Sequence, residues 1–210
     1  MATVITLAQL KGGVGKTTLA VAIAAELARR GASAALIDSD PQGSAVQWAL
    51  PGQLPCPVSK MPLEGIQPEA WVRQTKTVTA DYIVIDSAPN TQTIIAPIAI
   101  ATVTLVPCTP SGLDLEGTVR TLHVVDSVRR HWPQRRCVIV PNRVDSRTLE
   151  GRQFVDELER FGEPVSPSVG NRVSFVRAFA NGQAVSDLEP GGAAAHEVHH
   201  LCDFLRSYLA

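Results

Sequence analysis

Eight consecutive residues, Lys11–Thr18, combine the residue types that hold phosphate groups. They read Lys-Gly-Gly-Val-Gly-Lys-Thr-Thr, after a strand-like run at Val4–Ala8 and before a helix-like stretch. Glycines let backbone N–H groups approach phosphate oxygens, and a helix N-terminus adds positive potential. Lys16 would reach the β and γ oxygens, and Thr17 would bind Mg²⁺. The sequence therefore predicts a Mg-ATP loop whose binding residues are Gly12, Gly13, Val14, Gly15, Lys16, Thr17 and Thr18.

Two acidic segments supply carboxylates for the same chemistry. A strand-like run ending at Ile37 continues into Asp38-Ser39-Asp40-Pro41-Gln42, and Tyr82–Ile85 is directly followed by Asp86. In an open parallel sheet, the carboxyl ends of the strands line the ligand crevice, so both segments should face the phosphates. We expect Asp40 to orient the attacking water, and Asp38 and Asp86 to hold Mg²⁺ through its water ligands.

The position of Lys11 points to a particular branch of phosphate-loop proteins. The general motif has a glycine five residues before its last glycine, and Leu10 stands there in this chain. The loop and the D-x-D-P-Q stretch resemble those of the ParA/MinD group of ATPases. The resemblance implies that Lys11 reaches across a nucleotide-sandwich homodimer to the partner's phosphates. It also implies that Asp40 supports hydrolysis, which makes Lys11, Lys16 and Asp40 the candidate catalytic residues.

The resemblance extends over roughly residues 1–185. Pro107–Gly117 contains a P-x-x-x-D-L-x-G pattern similar to one in ParA proteins. Asn142 ends another strand-like run, where its amide can read the N6–H and N7 positions of adenine. The segment Ser87–Asn90 departs from the Thr-Pro-Pro that the family usually has, although Pro89 keeps the expected spacing.

Short β-branched runs alternate with helical stretches along the chain, which predicts a doubly wound α/β fold with a mostly parallel sheet and helices on both faces. We expect one P-loop NTPase domain over residues 1–210. The stretch Pro51–Pro68 carries several prolines and is predicted to be irregular, with a short helix around Trp71. The predicted strands are Val4–Ala8, Ser33–Ile37, Tyr82–Ile85, Thr102–Val106 and Cys137–Val140, and the predicted helices are Thr17–Arg30, Gly117–Arg130, Leu149–Phe161 and Ala193–Leu209.

Composition limits the class of protein further. The 210 residues carry a net charge of −1 and 45% hydrophobic residues, so a folded domain without a global field is expected. The four cysteines form no CxxC pair and are expected to be reduced. The start of the chain lacks the pattern of a secretory leader, which predicts a cytoplasmic protein.

Two other motifs compete with an ATP site. The run Asn142–Asp145 is close to N-K-x-D, the guanine reader of GTPases, with Arg143 in place of the lysine. His196–His200 matches H-E-x-x-H, which can bind zinc on a helix, although no third ligand follows. The other motifs favour ATP, and an exposed helix face is the simpler interpretation of the histidines.

Other branches of the superfamily make different predictions. A MinD-like membrane-associated regulator should end in a basic amphipathic helix, whereas Leu201–Leu209 contains one basic and one acidic residue. An iron-sulfur reductase should have a cysteine soon after Asp86, and Cys108 is further away. A dethiobiotin-synthetase-like ligase is the remaining enzyme alternative, and Lys11 argues against it. We therefore expect no membrane attachment.

The resulting hypothesis is a small ParA-like ATPase that positions or segregates a plasmid, a chromosome or a protein compartment. ATP would drive homodimerisation, the dimer would bind DNA of the nucleoid without sequence preference, and a ParB-like or other small adaptor would act as its partner. Arginines would have to supply a local positive patch, because the net charge gives no global attraction. The candidate DNA contacts are Arg147, Arg152, Arg172 and Arg177.

Overall fold

The computed structural model describes residues 2–210, in which seven strands form one sheet. All strand pairs of the described chain are parallel, and the order is β3-β2-β4-β1-β5-β6-β7. The strands are β1 (Thr3–Leu7), β2 (Ala34–Asp38), β3 (Val58–Lys60), β4 (Tyr82–Asp86), β5 (Val103–Cys108), β6 (Arg136–Val144) and β7 (Val169–Gly170).

Helices follow most strands and cover both faces of the sheet. They are α1 (Lys16–Arg29), α2 (Ser44–Ala49), α3 (Pro68–Thr75), α4 (Thr91–Ile100), α5 (Gly112–Arg129), α6 (Leu149–Glu159), α7 (Val173–Asn181), α8 (Val185–Leu188) and α9 (Ala193–Leu209). This is the doubly wound α/β architecture that the alternating sequence pattern predicts.

The alternation of side chains along the strands assigns the helices to the two faces. Val138 and Val140 of β6 pack in the same cluster as residues of α1 and α9, whereas Cys137 and Ile139 pack with residues of α4, α5 and α6. Successive residues of a strand point to opposite faces, so both faces of the central strands are buried. The sheet is therefore an interior layer, and its carboxyl edge is the part left open for a ligand.

Among residues 2–210, no helix combines the length and the apolar character that crossing a bilayer requires.

Several elements differ from the sequence-based expectations. The stretch expected to be irregular, Pro51–Pro68, contains β3, because Val58–Lys60 pairs with Leu36–Asp38 of β2. Neither α2 nor α4 was predicted, and α5 begins five residues before Gly117. Pro97 lies inside α4, where the Thr6 hydroxyl donates to its carbonyl at 3.0 Å. Propensity alone does not show such long-range partners.

Candidate nucleotide-binding site

An open cavity of about 620 Å³ lies at the carboxyl edge of the sheet. Its walls come from the loop after β1, the segment after β2, the end of β6 and the segment from β7 into α7. The lining residues include most of the predicted binding loop, together with Asp40 and Asn142: Gly12, Gly13, Gly15, Lys16, Thr17, Thr18, Asp40, Ser44, Trp48, Pro89, Asn142, Arg143, Gly170, Asn171, Arg172, Phe175, Val176 and Phe179.

Lys16 is the first residue of α1 and is buried at the base of the cavity. Its ammonium group donates to the carbonyl of Gln9 at 3.1 Å and lies 3.5 Å from the carbonyl of Lys11. Burial lowers the pKa of Lys16, while the carboxylates of Asp86 and Asp40 act in the opposite direction. A buried cation whose hydrogen bonds go to backbone carbonyls is poised to bind an anion such as phosphate.

Thr17 and Asp86 meet on the other side of the loop. The Thr17 hydroxyl donates to Asp86 Oδ2 at 2.6 Å, whereas Asp86 Oδ1 is buried without a hydrogen-bond partner in the described chain. Burial, with Asp38 and Asp40 nearby, raises the pKa of Asp86 to about 7. An unpartnered buried carboxylate oxygen beside a hydroxyl fits a Mg²⁺ ion and its water ligands.

Asp38 is fully buried, and its carboxylate is surrounded by backbone N–H groups. Oδ2 accepts from Ala45 and Val46 at 2.9 and 3.0 Å, and Oδ1 accepts from Asp40 at 3.2 Å. Burial raises the pKa of Asp38 and the three N–H groups lower it, with a net rise. Asp38 therefore secures the start of α2, and its role near Mg²⁺ stays a prediction.

Asp40 and Asn142 face the cavity from opposite sides. Asp40 is half-buried, and its Oδ1 accepts from the backbone N–H of Gln42 at 2.9 Å. Asn142 is buried, and its Nδ2 donates to the Val14 carbonyl at 2.7 Å. Gly15 has a φ of 91°, and a Cβ there would collide with this amide. This close fit joins the end of β6 to the predicted phosphate loop.

Lys11 does not line the cavity, unlike the glycines that follow it. Its side chain begins against α5, where a Cβ added to Gly117 would lie 2.9 Å from Lys11 Cβ. Gly117 belongs to the P-x-x-x-D-L-x-G segment noted in the sequence. The absence of a side chain at Gly117 is therefore what lets α5 approach the loop at Lys11.

Three of the four arginines predicted to bind DNA have partners within the chain. Arg147 makes a two-pronged ion pair with Asp145, through N–O distances of 2.8 Å. Arg172 pairs with Glu197 at 2.6 Å and lines the nucleotide cavity. Arg152 lies 3.3 Å from the carbonyls of Ser146 and Arg147, whereas Arg177 is exposed on α7.

The contacts of Arg147 and Arg172 also involve the two competing motifs, the N-K-x-D-like run and the H-E-x-x-H run. Both oxygens of Asp145 are bonded to Arg147, and Asp145 is not part of the cavity wall. The residue in the guanine-reading position therefore lies outside the cavity wall. Glu197 of the H-E-x-x-H run accepts from Arg172 and from the backbone N–H of Gly170, so it joins α9 to β7. Within residues 2–210, no group of three potential metal ligands is found.

Sequence reasoning missed several residues of the site. Gln9 is fully buried behind the loop, and Phe175, Val176 and Phe179 of α7 form an apolar wall. Arg143 lines the cavity with a φ of 56°. A positive φ at a residue other than glycine is uncommon. No motif marks Gln9 or the apolar residues of α7, because they reach the site through contacts between distant parts of the chain, and Arg143 was named only as part of the N-K-x-D-like run.

A phosphate loop between a central parallel strand and a helix, with an aspartate at the end of the neighbouring strand, defines the P-loop class of nucleotide-binding proteins. Residues 5–185 match the family model of the CobQ/CobB/MinD/ParA nucleotide binding domain, and the chain belongs to this family.

Two curated relatives agree with this membership, and one solved structure shares the fold. It is 31% identical over 200 residues to the Maintenance of carboxysome distribution protein A of Halothiobacillus neapolitanus, covering 92% of both chains. It is 31% identical over 232 residues to the Chromosome-partitioning ATPase Soj of Thermus thermophilus, covering 95% of this chain and 93% of Soj. The structure of apo McdA from Cyanothece has a TM-score of 0.81 at 19% identity, covering 98% of this chain and 100% of McdA.

Proposed function

We propose that the protein is a Mg-dependent ATPase that forms a sandwich dimer when it binds ATP and uses this switch to position a cargo. The observation that carries the proposal is the different placement of the two loop lysines. Lys16 lies in the cavity of its own chain, whereas Lys11 does not line that cavity and its stem rests on Gly117 of α5. This placement supports a role for Lys11 toward a nucleotide held by a second copy.

ATP is the nucleotide that the site supports best. Asn142 lies in the wall as a potential adenine reader, whereas Asp145, the residue in the guanine-reading position, does not line the cavity. Thr17 and Asp86 would hold Mg²⁺, the latter through a water ligand. When bound, the ion would neutralise charge that develops on the transferring phosphoryl group. Asp40 would orient the attacking water, and Lys16 would bind the β and γ oxygens.

The cargo is proposed from the relatives. The two curated relatives are named for the distribution of carboxysomes and for chromosome partitioning, and each is matched over nearly its whole length. We infer a cargo of the same kind, a protein compartment or a DNA molecule. A small adaptor protein would connect the cargo to the ATP dimer, and the DNA of the nucleoid would serve as the matrix.

The last helix argues against a MinD-like attachment to membranes. Leu201, Cys202 and Leu205 of α9 are buried in the same core cluster as residues of α1. Arg30 at the end of α1 donates to Asp203 at 2.7 Å and to the His199 carbonyl at 2.9 Å. The apolar face of α9 is therefore used for packing within the domain.

Light scattering with and without Mg²⁺ and a slowly hydrolysed ATP analogue tests the proposal. The wild type should be a monomer without nucleotide and a dimer with it. Lys16→Ala should lose nucleotide binding, whereas Lys11→Ala should bind nucleotide but stay monomeric and lose most turnover. Lys76→Ala, at the exposed end of α3, is the matched control. A wild type that stays monomeric with saturating Mg-nucleotide would disprove the sandwich, and normal turnover in Lys11→Ala would disprove the role of Lys11.

A further inference from the structure

Gln9 is a fully buried polar residue, two positions after the end of β1, that no motif accounts for. Its Nε2 donates to the Pro107 carbonyl at 3.0 Å and to the Thr118 hydroxyl at 2.9 Å. Its Oε1 accepts from the backbone N–H of Lys11 at 3.3 Å and from the Thr121 hydroxyl at 2.7 Å. One side chain thus joins the phosphate loop to β5 and α5.

The orientation of this amide is fixed by its partners. The Pro107 carbonyl can only accept a hydrogen bond and the Lys11 N–H can only donate one, so Nε2 and Oε1 cannot be exchanged. Thr118 extends the network, because its hydroxyl donates to the Asp114 carbonyl at 2.9 Å. Buried polar networks whose groups are satisfied specify one arrangement, because any displacement leaves a group unpaired.

The network is concentrated on Lys11 and its neighbour. Thr121 also accepts from the backbone N–H of Leu10 at 3.1 Å, and it lies 2.8 Å from the Gly117 carbonyl, one turn earlier on α5. Gly117 is the residue against which the Lys11 stem packs. Thr121 therefore holds the N–H of Leu10, and Gln9 holds the N–H of Lys11. Both contacts lie beside the start of the Lys11 side chain.

Lys16 depends on Gln9 in a different way. Its ammonium group donates to the backbone carbonyl of Gln9. A substitution of the Gln9 side chain keeps this carbonyl. The side chain acts on Lys11 and the backbone acts on Lys16, so the two lysines can be separated experimentally.

We propose that Gln9, together with Thr121, is a positioning residue that couples α5 to Lys11 and sets the direction of the Lys11 side chain. The inference rests on the proposed function, because it assigns Lys11 to the nucleotide of the second copy. It predicts that breaking the network impairs dimerisation and turnover and largely spares nucleotide binding. A purely structural role would instead lower stability and nucleotide affinity together.

Gln9→Met and Thr121→Val remove the hydrogen bonds and keep the approximate volume, while Thr121→Ser keeps the hydroxyl. Thr104→Val is the matched control, because the Thr104 hydroxyl is equally buried but has no partner in the described chain. One buried hydrogen bond corresponds to about a tenfold effect. We therefore expect Gln9→Met and Thr121→Val to lower turnover and the dimer association constant about tenfold, with analogue affinity within about threefold of the wild type. Thr121→Ser and Thr104→Val should behave like the wild type.

Three other results have separate meanings. If Gln9→Met and Thr121→Val dimerise and turn over normally while the wild type also dimerises, the coupling inference is wrong. If both lose analogue affinity in proportion to turnover, with a matching drop in Tm, the network holds the whole loop and the positioning role is wrong. If the wild type itself does not dimerise with the analogue, the proposed function is wrong. This result differs from the two above, in which the wild type dimerises and only the variants decide.

Discussion

Asp38 and Asp86 are register partners on the neighbouring parallel strands β2 and β4, so two carboxylates lie side by side at the carboxyl edge of the sheet. The Asp38 carboxylate accepts hydrogen bonds from three backbone N–H groups. One oxygen of Asp86 accepts from Thr17, whereas the other is buried without a partner in the described chain. Burial raises the pKa of both groups, to about 7 for Asp86. A pair of this kind is costly without a cation, which is the physical reason to expect Mg²⁺ beside it.

The first prediction concerns the stability of the nucleotide-free protein. The pKa of Asp86 rises from 3.8 to about 7 on folding, so between these values the native state holds a proton that the unfolded state has released. The free energy of unfolding should therefore decrease as pH rises through this range. Asp86→Asn should remove this dependence and be more stable than the wild type near pH 8, by up to about 4 kcal/mol.

Urea unfolding in EDTA at about pH 5 and pH 8 measures the difference. The same variant should lose the stabilisation that Mg²⁺ and ATP give the wild type, because the cation loses its carboxylate. Equal stabilities of the two proteins at pH 8 would show that Asp86 is not strained in the free protein.

The second prediction has the opposite sign and concerns Glu26 of α1, which is almost fully buried. Burial raises its pKa, but hydrogen bonds from Arg30 at 2.9 Å and from His199 at 3.0 Å outweigh this effect, and the pKa is lowered. The stabilisation is present above the unfolded pKa of about 4.5 and is lost as pH falls through the folded value. Glu26→Gln should cost about 1–3 kcal/mol at pH 7.

Unfolding curves at pH 7 and below about pH 4 test this, with Glu64→Gln on the surface as the control. The gap between wild type and Glu26→Gln should narrow in acid. A gap that stays constant with pH would mean that packing, and not the charge of Glu26, joins α1 to α9.

The third prediction assigns hydrolysis to Asp40. Asp40→Ala should bind ATP but turn over about 10²-fold more slowly, because it no longer orients the water. Slow hydrolysis should let the dimer accumulate under ATP, which light scattering can follow. Asp126→Ala is the control, because the Asp126 side chain is exposed on the outer side of α5. Since Asp40 also accepts from the N–H of Gln42, a variant that simply loses ATP affinity would show that the residue only shapes the loop.

The fourth prediction is a preference for ATP over GTP. Asn142 faces the cavity, whereas Asp145 does not line it. ATP with Mg²⁺ should therefore raise the Tm more than GTP at the same concentration, because tighter binding to the native state gives a larger shift. A larger shift with GTP would restore the guanine-reader interpretation of Asn142–Asp145.

The part of the site that the sequence could predict is the part encoded locally. The loop Lys11–Thr18 and the aspartates at the ends of β2 and β4 stand in short motifs with fixed spacing, and the structure brings them to one edge of the sheet. Gln9 could not be found in this way, because its side-chain partners on β5 and α5 are 98 to 112 positions away. The same holds for β3, whose three residues form a strand only because β2 offers them an edge.

Non-specific DNA binding is the prediction that the internal ion pairs of the chain affect most. Arg147 and Arg172 are paired with Asp145 and Glu197, so part of the expected positive patch is already neutralised. Exposed pairs contribute little free energy, and the Arg147 side chain is 86% exposed. DNA phosphates can therefore compete for it. Arg152 near the start of α6 and Arg177 on α7 complete the candidate set.

Dimerisation should decide whether this patch is sufficient, because it doubles the number of phosphate contacts. The logarithm of affinity falls with the logarithm of salt by about 0.9 per contact, so binding should require ATP, ignore DNA sequence and disappear steeply as salt rises. Arg147→Glu combined with Arg177→Glu should abolish DNA retardation without preventing dimerisation. Arg147→Glu alone should weaken it, and Arg73→Glu, at an exposed position of α3, is the charge-matched control for this single reversal. If the ATP-loaded wild-type dimer does not retard DNA at low salt, the nucleoid is not its matrix. If Arg73→Glu weakens binding as much as Arg147→Glu, the contacts are spread over the whole surface and these arginines form no specific patch.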